Sequence, residues 1–407
     1  MHSKTASGSP AVLPDAGMKS MSLKVLHICP QFRPMVGGYE RAAERLAQEL
    51  VARGHGVTVL AERRQQSWPA NEVSQGVAIA RWWCLYRPRV HMASSLVGLM
   101  LALLREGRAH DVWHVHQYGL HAGLTIALGK LLRRPVVLKL TSSSYEGLDA
   151  ALSRLPFARV LKVLHRGVNA VVALSTETAQ ESLRFGIPHL RIHKLGNGID
   201  VNQFRPRSAL ESSELKSQLG LSGRQLVVFV GGLGEAKNVE GLMEAWALAR
   251  SELPAGWSLV VVGDGSRRGI AETLASELKL GESVRFVGQQ ANVHEWMGAA
   301  DIYVSTSWRE GLSNTLLEAM ASGLPVVATR VSAVPEVVEE TGAGMVAEVG
   351  DMKAIASALT KLGLDDELRR SSGTRARQVV CATYALTAVA AAHESLYLSL
   401  LHPAKCQ

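Results

Sequence analysis

Short apolar segments alternate with amphipathic ones twice along this chain of 407 residues, and a turn-rich break near residue 200 separates the two series. The first series predicts strands at Lys24–Cys29, Val57–Leu60, Val112–His116, Pro135–Leu140 and Ala170–Leu174. The second predicts strands at Leu226–Val230, Ser258–Val262, Val284–Val287, Ile302–Ser305 and Pro325–Ala328. Because helical segments lie between successive strands, parallel pairing is expected, and each half is predicted to fold as a doubly wound α/β sheet.

The length of the chain suits two domains of ordinary size. We predict a disordered leader at 1–20, an N-terminal Rossmann-like domain at 21–200, a second Rossmann-like domain at 201–383, and a C-terminal helix and tail at 384–407. Two such domains that face each other bring the carboxyl ends of their strands to a shared cleft. Ligands of doubly wound sheets bind at those ends, so the cleft is the expected site.

The excess of positive charge lies in the first half. The chain has a net charge of +8, and residues 21–200 hold 23 Lys and Arg against 12 Asp and Glu. This balance predicts an anionic partner for the first domain. No basic-aromatic recognition motif accompanies the charge, so we predict no nucleic-acid partner and prefer an anionic membrane surface. A solvated basic surface is the competing explanation.

Cysteine usage and hydropathy favour the cytoplasm. The four cysteines show no paired spacing, which is typical of a reducing compartment. The longest apolar run, Leu96–Leu104, is too short to span a bilayer. Just before it, Arg81–Arg89 mixes arginines with aromatic residues, which suits a membrane interface or a lipid-linked acceptor. A sheet strand with buried tryptophans is the simpler alternative. We expect a cytoplasmic protein that makes peripheral contact with the cytoplasmic face of a membrane.

One segment of the second half combines two carboxylates with a helix start. Glu310 and Glu318 flank a turn formed by Gly311, Leu312, Ser313 and Asn314. Ser313 is a natural N-cap for a helix at Thr315–Ala321. Free N–H groups at that helix start favour a phosphate or diphosphate, with Glu310 placed for sugar hydroxyls and Glu318 for ribose hydroxyls. Taken alone, the segment fits an ordinary surface helix with a capping loop equally well.

The spacing of Glu310 and Glu318 resembles the E-x7-E motif of the family 4 glycosyltransferases, and the resemblance extends from about Lys24 to about Leu400. It implies the GT-B fold, with the C-terminal helix crossing back to the first domain. It also implies retaining transfer of a hexose-type sugar from a UDP or GDP type nucleotide-diphosphate donor, without a metal ion or other cofactor. The implied acceptor is a glycan or lipid-linked intermediate of cell-surface polysaccharide, lipopolysaccharide or glycolipid biosynthesis.

The resemblance also implies roles for particular residues. Lys237, in the segment Gly231–Asn238, matches a lysine that holds the donor diphosphate and stabilises the leaving group. Gly37 and Gly38 stand where the family has a glycine-rich loop, and Gly288 ends a segment whose backbone reads the nucleobase. The donor-binding set is therefore expected to be Gly37, Gly38, Lys237, Gly288, Gly311, Leu312, Ser313, Asn314 and Glu318, and the catalytic set His116, Glu310 and Lys237.

Two positions depart from the family pattern. Gly232 stands where the family has an arginine that binds the diphosphate, which puts part of the donor contact in doubt. Many relatives carry a T-x-H pattern after a later strand, where this chain has Lys139-Leu-Thr141. Thr141 or a nearby serine would then serve in place of the histidine, and the change bears on acceptor choice more than on the fold.

His114 and His116 alternate with Val115 at the end of a strand, so their side chains point to the same face. His116 falls where the family has a histidine near the transferred sugar, whereas His114 is more simply a core residue. No third ligand stands at a convincing spacing, so we predict no metal site.

Two other functions remain open at this point. A sugar-nucleotide epimerase with the same fold would convert the donor alone into an isomer. A catalytically degenerate sugar-nucleotide-binding protein would bind without forming product, and the departures at Gly232 and Thr141 favour it. The presence of Glu310, Glu318, Lys237 and His116 argues against it.

Overall fold

A computed structural model describes residues 22–35, 37–141 and 147–402. The leader predicted at 1–20, the serines at 142–144 and the tail beyond 402 lie outside these ranges. Within the described part of the chain, no helix has both the length and the apolar character needed to cross a membrane.

Fourteen strands in the described residues form two separate sheets. The first sheet consists of β1 Lys24–Ile28, β2 Gly56–Arg63, β3 Asn71–Ser74, β4 Val77–Trp83, β5 Val112–His116, β6 Val136–Leu140, β7 Ala170–Ala173 and β8 Ile192–Lys194. The second consists of β9 Gln225–Val230, β10 Trp257–Val262, β11 Val284–Gly288, β12 Ile302–Ser305, β13 Val326–Thr329 and β14 Gly344–Ala347. Their spatial orders are β3-β4-β2-β1-β5-β6-β7-β8 and β11-β10-β9-β12-β13-β14.

The α-helices cover both faces of these sheets. Those connecting strands of the first sheet are α1 Gly38–Ala52, α2 His91–Glu106, α3 Leu120–Leu131, α4 Gly147–Ser153, α5 Ala158–Arg166 and α6 Thr176–Phe185. The remaining helices are α7 Ala209–Gln218, α8 Val239–Glu252, α9 Arg268–Glu277, α10 Val293–Ala299, α11 Asn314–Ala321, α12 Met352–Leu364, α13 Asp366–Val379 and α14 Leu386–Leu401.

Every strand pairing is parallel except that of β3 with β4. The central strands of both sheets are apolar and buried on both sides, as crossover helices on two faces require. Two hydrophobic clusters sandwich the first sheet and two sandwich the second. The predicted fold class, two doubly wound domains in the GT-B arrangement, is confirmed.

The C-terminal helix returns to the first domain, as expected. α14 packs against α1, and Arg53, the residue that follows α1, donates to Glu394 of α14 at 2.7 Å. Tyr397 on the same helix lies beside His114 of β5, with 2.6 Å between its hydroxyl oxygen and the His114 Nδ1. The C-terminal helix therefore packs on the N-terminal domain.

The structure departs from the predicted elements in two ways. The sequence prediction omitted β3, β8 and β14, which are short edge strands paired on one side only. It also omitted β4, an interior strand that pairs with β2 and β3, where a strand was considered only as the alternative for the segment Arg81–Arg89. The final helix was predicted from Tyr384, but it begins at Leu386. Ile199 N–H donates to the Tyr384 carbonyl, and Leu386 N–H donates to the Ile199 carbonyl, so the backbone there is extended and joins the linker.

Candidate active site

A cavity of about 450 Å³ lies between the two domains, at the carboxyl ends of β9 and β10. The starts of α1 and α11 close it from opposite sides. Of the residues predicted to bind the donor or to act in catalysis, seven line it: Gly37, Gly38, Lys237, Glu310, Ser313, Asn314 and Glu318. Residues as far apart in sequence as Gly38 and Asn314, which are separated by 276 positions, meet here because both sheets present the same edge.

The start of α11 faces this cavity. Ser313 occupies the N-cap position but its side chain makes no capping hydrogen bond, and its Oγ lies 3.1 Å from Thr315 Oγ1 instead. Asn314 reaches across the cleft and donates from Nδ2 to the Gly38 carbonyl at 2.6 Å. The two domains therefore touch at the helix start, and the positive end of the helix dipole points into the enclosed space.

Lys237 and Glu310 form an ion pair at the wall of the cavity. Lys237 ends a short 3₁₀ turn after β9, and Ser307 Oγ donates to the same Glu310 oxygen, Oε2, at 3.2 Å. The sequence assigned the ammonium to phosphate and the carboxylate to the sugar. In the structure the Lys237 ammonium and the Glu310 carboxylate bind each other. A bound donor would therefore either contact both groups or break their ion pair.

Glu318 is almost fully buried and pairs with an arginine of the other domain. Arg45 of α1 donates to Glu318 Oε1 at 2.5 Å, and the side chains are 18% and 1% exposed, respectively. The second oxygen, Oε2, has no hydrogen-bond partner among the described residues. A buried carboxylate oxygen without a donor is costly, and a ribose hydroxyl is the kind of group that would satisfy it.

Arg41 is a cavity residue that the sequence reasoning missed. It lies on the first turn of α1 and lines the cavity together with Gly232. A Cβ added at Gly232 would meet no atom within 4 Å, so the space that an arginine side chain would fill there is open. The Arg41 guanidinium of the first domain and Gly232, the position at which the family has an arginine, therefore line the same cavity.

A second, smaller cavity of about 220 Å³ adjoins the first on the side of β5 and β6. The predicted residues His116, Gly311 and Leu312 line it, as does Thr141, which replaces the family histidine. Glu310 and Asn314 line both cavities. Lys139, the residue at the first position of the T-x-H pattern, also lines this cavity, and the sequence analysis had given it no role.

The histidines near this cavity form a cluster that the sequence did not reveal. His27 of β1 lies beside His114 and His116, with ring centroids 5.0 and 5.3 Å away, and one ring nitrogen of each lies within 4.8 Å of the others. Contrary to the expectation from the sequence, a third imidazole does lie beside the pair, because β1 and β5 are neighbours in the sheet. Burial lowers the pKa of His116 well below its usual range, so its imidazole is neutral at neutral pH.

Gly288 does not line either cavity. It ends β11 with φ of +70°, and the two residues that follow it, Gln289 and Gln290, line the donor cavity instead. At the neighbouring strand end, Gly263 has φ of +143°, and a Cβ there would lie 1.9 Å from the Gly231 carbonyl oxygen. Only glycine allows β9 and β10 to end this close together, so the role of Gly263 is structural.

Family models match both halves of the chain. Residues 36–203 match the model described as Glycosyltransferase Family 4, and residues 211–379 match the model described as Glycosyl transferases group 1. Each match covers the central part of one of the two domains.

Individual proteins are similar over most of the length. The N-acetyl-alpha-D-glucosaminyl L-malate synthase of Bacillus anthracis is 26% identical over 394 residues, covering 95% of this chain and 99% of that protein. The lipopolysaccharide core biosynthesis mannosyltransferase LpsB of Rhizobium meliloti (strain 1021) is 31% identical over 309 residues, covering 72% and 81%. The crystal structure of Anabaena HepE in complex with UDP has a TM-score of 0.76 at 19% identity, covering 93% of this chain and 100% of that chain.

Proposed function

The chain belongs to the family 4 glycosyltransferases, and on that basis we propose that it transfers a hexose-type sugar from a UDP or GDP sugar to a glycan or lipid-linked acceptor. The observation that carries this proposal is the donor cavity, in which Lys237, Arg41, Glu310 and Glu318 surround an exposed helix start. Cell-surface polysaccharide or glycolipid biosynthesis is the proposed setting, by analogy with the lipopolysaccharide mannosyltransferase of Rhizobium meliloti.

In the proposed complex, the donor lies along the two cavities. The ribose hydroxyls bind Glu318, whose Oε2 has no partner among the described residues. The diphosphate binds the start of α11 together with Lys237 and Arg41, and these cations stabilise the charge that develops on the leaving nucleotide. The sugar occupies the second cavity, between Glu310 and the neutral imidazole of His116. Catalysis then consists mainly of positioning and leaving-group stabilisation.

Retention of configuration is part of the proposal. Direct displacement with inversion needs a general base beside the acceptor hydroxyl. Among the described residues that line the second cavity, Glu310 is the only carboxylate, and it is held by Lys237 and Ser307. The other candidate base in this cavity, the neutral imidazole of His116, is a weak base because burial lowers its pKa well below the usual range. The arrangement therefore supports a retaining course, in which the charge of the departing diphosphate lies close to the incoming hydroxyl.

We also propose that the transfer needs no metal ion. The histidine cluster offers three nitrogen ligands, but burial, neighbouring imidazoles and then the nearby Lys139 ammonium lower the pKa of His27 and His116. A neighbouring positive charge disfavours a divalent cation at the same place, and the three-histidine set contains no carboxylate to offset it. Lys237 and Arg41 supply the positive charge that a metal would bring to the diphosphate.

The proposal is tested by calorimetric titration of UDP, GDP and ADP, followed by turnover of the matching nucleotide sugars. We expect saturable binding of UDP or GDP and release of that nucleotide only when an acceptor glycan is present. The anomeric configuration of the product, measured by NMR, should match that of the donor. Conversion of the donor alone into an isomer would identify an epimerase instead, and binding without product over a broad acceptor panel would identify a degenerate binder.

The second part of the proposal is contact with an anionic membrane through the first domain. α2 carries an exposed apolar stripe with helical spacing, formed by Val97, Met100, Leu101 and Leu104, which are 48%, 36%, 58% and 38% exposed. Arg108 follows this stripe and is exposed. An apolar stripe that ends in basic residues suits the headgroup region of an anionic bilayer.

A second exposed apolar group lies in the same helical layer. α3 packs between α2 and α5, and α5 exposes Val160 and Val163, with Phe157 just before it. Of the arginines in the segment Arg81–Arg89, Arg81 is buried against Glu72 and has a structural role. Of the two tryptophans there, Trp82 is buried and Trp83 is 56% exposed. Arg87 and Arg89 are exposed as well, so the membrane contact is proposed at α2, at α5 and at the exposed part of this segment.

Leu101→Asp is expected to reduce binding to vesicles of anionic phospholipid about tenfold, because it removes roughly 1.5–3 kcal/mol of apolar burial and adds a negative charge. Co-sedimentation with vesicles measures the effect. Leu210→Asp, at a residue 70% exposed on α7 of the second domain, is the matched control and should bind as the wild type does. Equal binding of Leu101→Asp and wild type would remove α2 from the contact.

A further inference from the structure

Lys139 presents a buried positive charge to the second cavity. The residue lies near the end of β6, is 2% exposed and lines the cavity with His116, Thr141 and Asn197. Among the described residues, no carboxylate forms an ion pair with its ammonium group and no hydrogen bond of that group is found. Buried lysines are rare unless they are paired, so we expect an anionic group to pair with Lys139.

The groups around Lys139 do not supply a negative charge. Burial lowers the pKa of His27 and of His393 to about 3, so both imidazoles are neutral. Burial raises the pKa of the Cys29 thiol, which is therefore neutral as well. Burial also lowers the pKa of Lys139 itself, but only to about 8, so the ammonium remains protonated at neutral pH.

Neither Glu310 nor Glu40, which follows the cavity residue Tyr39, forms an ion pair with Lys139. Glu310 lines the cavity but is paired with Lys237. Glu40 is buried at the start of α1, and its carboxylate folds back so closely that a Cβ at Gly37 would lie 2.2 Å from its Oε2. The Lys139 ammonium therefore faces the cavity, and an anionic ligand bound there would neutralise its charge.

Polar groups beside Lys139 add hydrogen-bonding capacity. Asn197 donates from Nδ2 to the Leu312 carbonyl at 3.2 Å, but its Oδ1 has no hydrogen-bond partner among the described residues. Both ring nitrogens of His116 are also without partners there. One cation with several neutral hydrogen-bonding groups is a set that suits a hydroxyl-bearing acid better than a neutral sugar.

We propose that Lys139 forms an anion-binding subsite in the second cavity, for a carboxylate or phosphate carried either by the transferred sugar or by the acceptor. This inference rests on the proposed function, because it takes the second cavity as the place where sugar and acceptor meet. Lys139 selects the substrate by charge, and a neutral hexose acceptor leaves its ammonium unpaired.

The test uses the full chain saturated with UDP or GDP, whichever binds. D-glucuronate, L-malate and inorganic phosphate are titrated by calorimetry against D-glucose as the neutral probe. We expect at least one anion to bind the wild type, and binding of that anion to fall at least tenfold in Lys139→Met with no change for D-glucose. Lys130→Met, at an exposed lysine on α3, is the matched control and should bind the anion as the wild type does.

A comparison of two donors, UDP-glucuronate and UDP-glucose, distinguishes an anion on the transferred sugar from one on the acceptor. Tighter binding of UDP-glucuronate than of UDP-glucose, lost in Lys139→Met, places the charge on the transferred sugar. Anion binding in the presence of intact UDP-glucose, lost in the same variant, places it on the acceptor. Lys139→Gln repeats the measurement if Lys139→Met does not show a cooperative unfolding transition.

Two negative results have different meanings. If the nucleotide binds both wild type and Lys139→Met, but no anion binding depends on residue 139, the anion subsite is wrong and the proposed function stands. If no nucleotide binds the wild type, the proposed function and the subsite that rests on it are both wrong.

Discussion

Lys237→Ala is expected to weaken binding of the donor nucleotide by at least about a hundredfold. Charge-assisted hydrogen bonds are worth roughly 1.5–3 kcal/mol each, and the substitution also leaves Glu310 without its cation, so that a bare carboxylate faces the diphosphate. Calorimetric titration of UDP and GDP measures the change. Lys353→Ala, at an exposed lysine on α12, is the control and should bind as the wild type does.

The same titration separates two explanations of Gly232. If Arg41 supplies the charge that the family arginine supplies elsewhere, Arg41→Ala should weaken binding about tenfold or more. The double variant Arg41→Ala with Gly232→Arg should recover most of that loss, because the position has open space for a side chain. Unchanged binding in both Lys237→Ala and Arg41→Ala would show that the diphosphate lies elsewhere, and the donor assignment would fail.

Glu318→Ala is expected to affect both stability and donor binding. It leaves Arg45 uncompensated across the domain interface, and breaking a buried pair of this kind costs about 3 kcal/mol in the free energy of unfolding. It also removes the oxygen proposed to accept the ribose hydroxyls, so nucleotide affinity should fall about tenfold to a hundredfold. Urea unfolding and calorimetry measure the two effects, and Glu277→Ala, at an exposed glutamate on α9, is the control.

A comparison of ribose and deoxyribose nucleotides separates the two roles of Glu318. The wild type should bind UDP more tightly than 2′-deoxy-UDP, and this preference should disappear in Glu318→Ala if the carboxylate holds the ribose. A preference of the same size in both proteins would limit Glu318 to joining the two domains through Arg45. Glu318→Gln keeps the shape of the side chain and should retain more stability than Glu318→Ala.

Elements whose signal is local were predictable from the sequence. The buried central strands are runs of Val, Ile and Leu, and their ends were predicted to within about one residue, as for β10 and β12, except that β2 continues past the predicted end at Leu60 to Arg63. α11 was predicted from Thr315 and begins at Asn314; Ser313 occupies the predicted N-cap position, although its side chain makes no capping hydrogen bond. The edge strands β3, β8 and β14 were missed because a strand paired on one side needs neither length nor a continuous apolar run, whereas the edge strand β11 was predicted.

Contacts between distant segments were not predictable in the same way. Arg45 looks like one of several polar residues on an amphipathic helix, yet it pairs with Glu318, 273 positions later. His27 looks like an interior strand residue, and only the pairing of β1 with β5 brings it to His114 and His116. Gly288 was expected in the donor cavity, but the positive φ at the strand end leaves Gln289 and Gln290 to line it.

By itself, the sequence determined the two doubly wound domains and the residues Lys237, Glu310 and Glu318, because strand periodicity, helix starts and motif spacing are short-range properties of the chain. The tertiary structure alone decided which charges meet. It paired Lys237 with Glu310 and Arg45 with Glu318, and it left the Lys139 ammonium facing a cavity without a carboxylate partner among the described residues. The physical reason is that Coulomb interactions depend on distance in the folded protein and desolvation depends on burial. The separation of two residues along the chain determines neither their distance nor their burial.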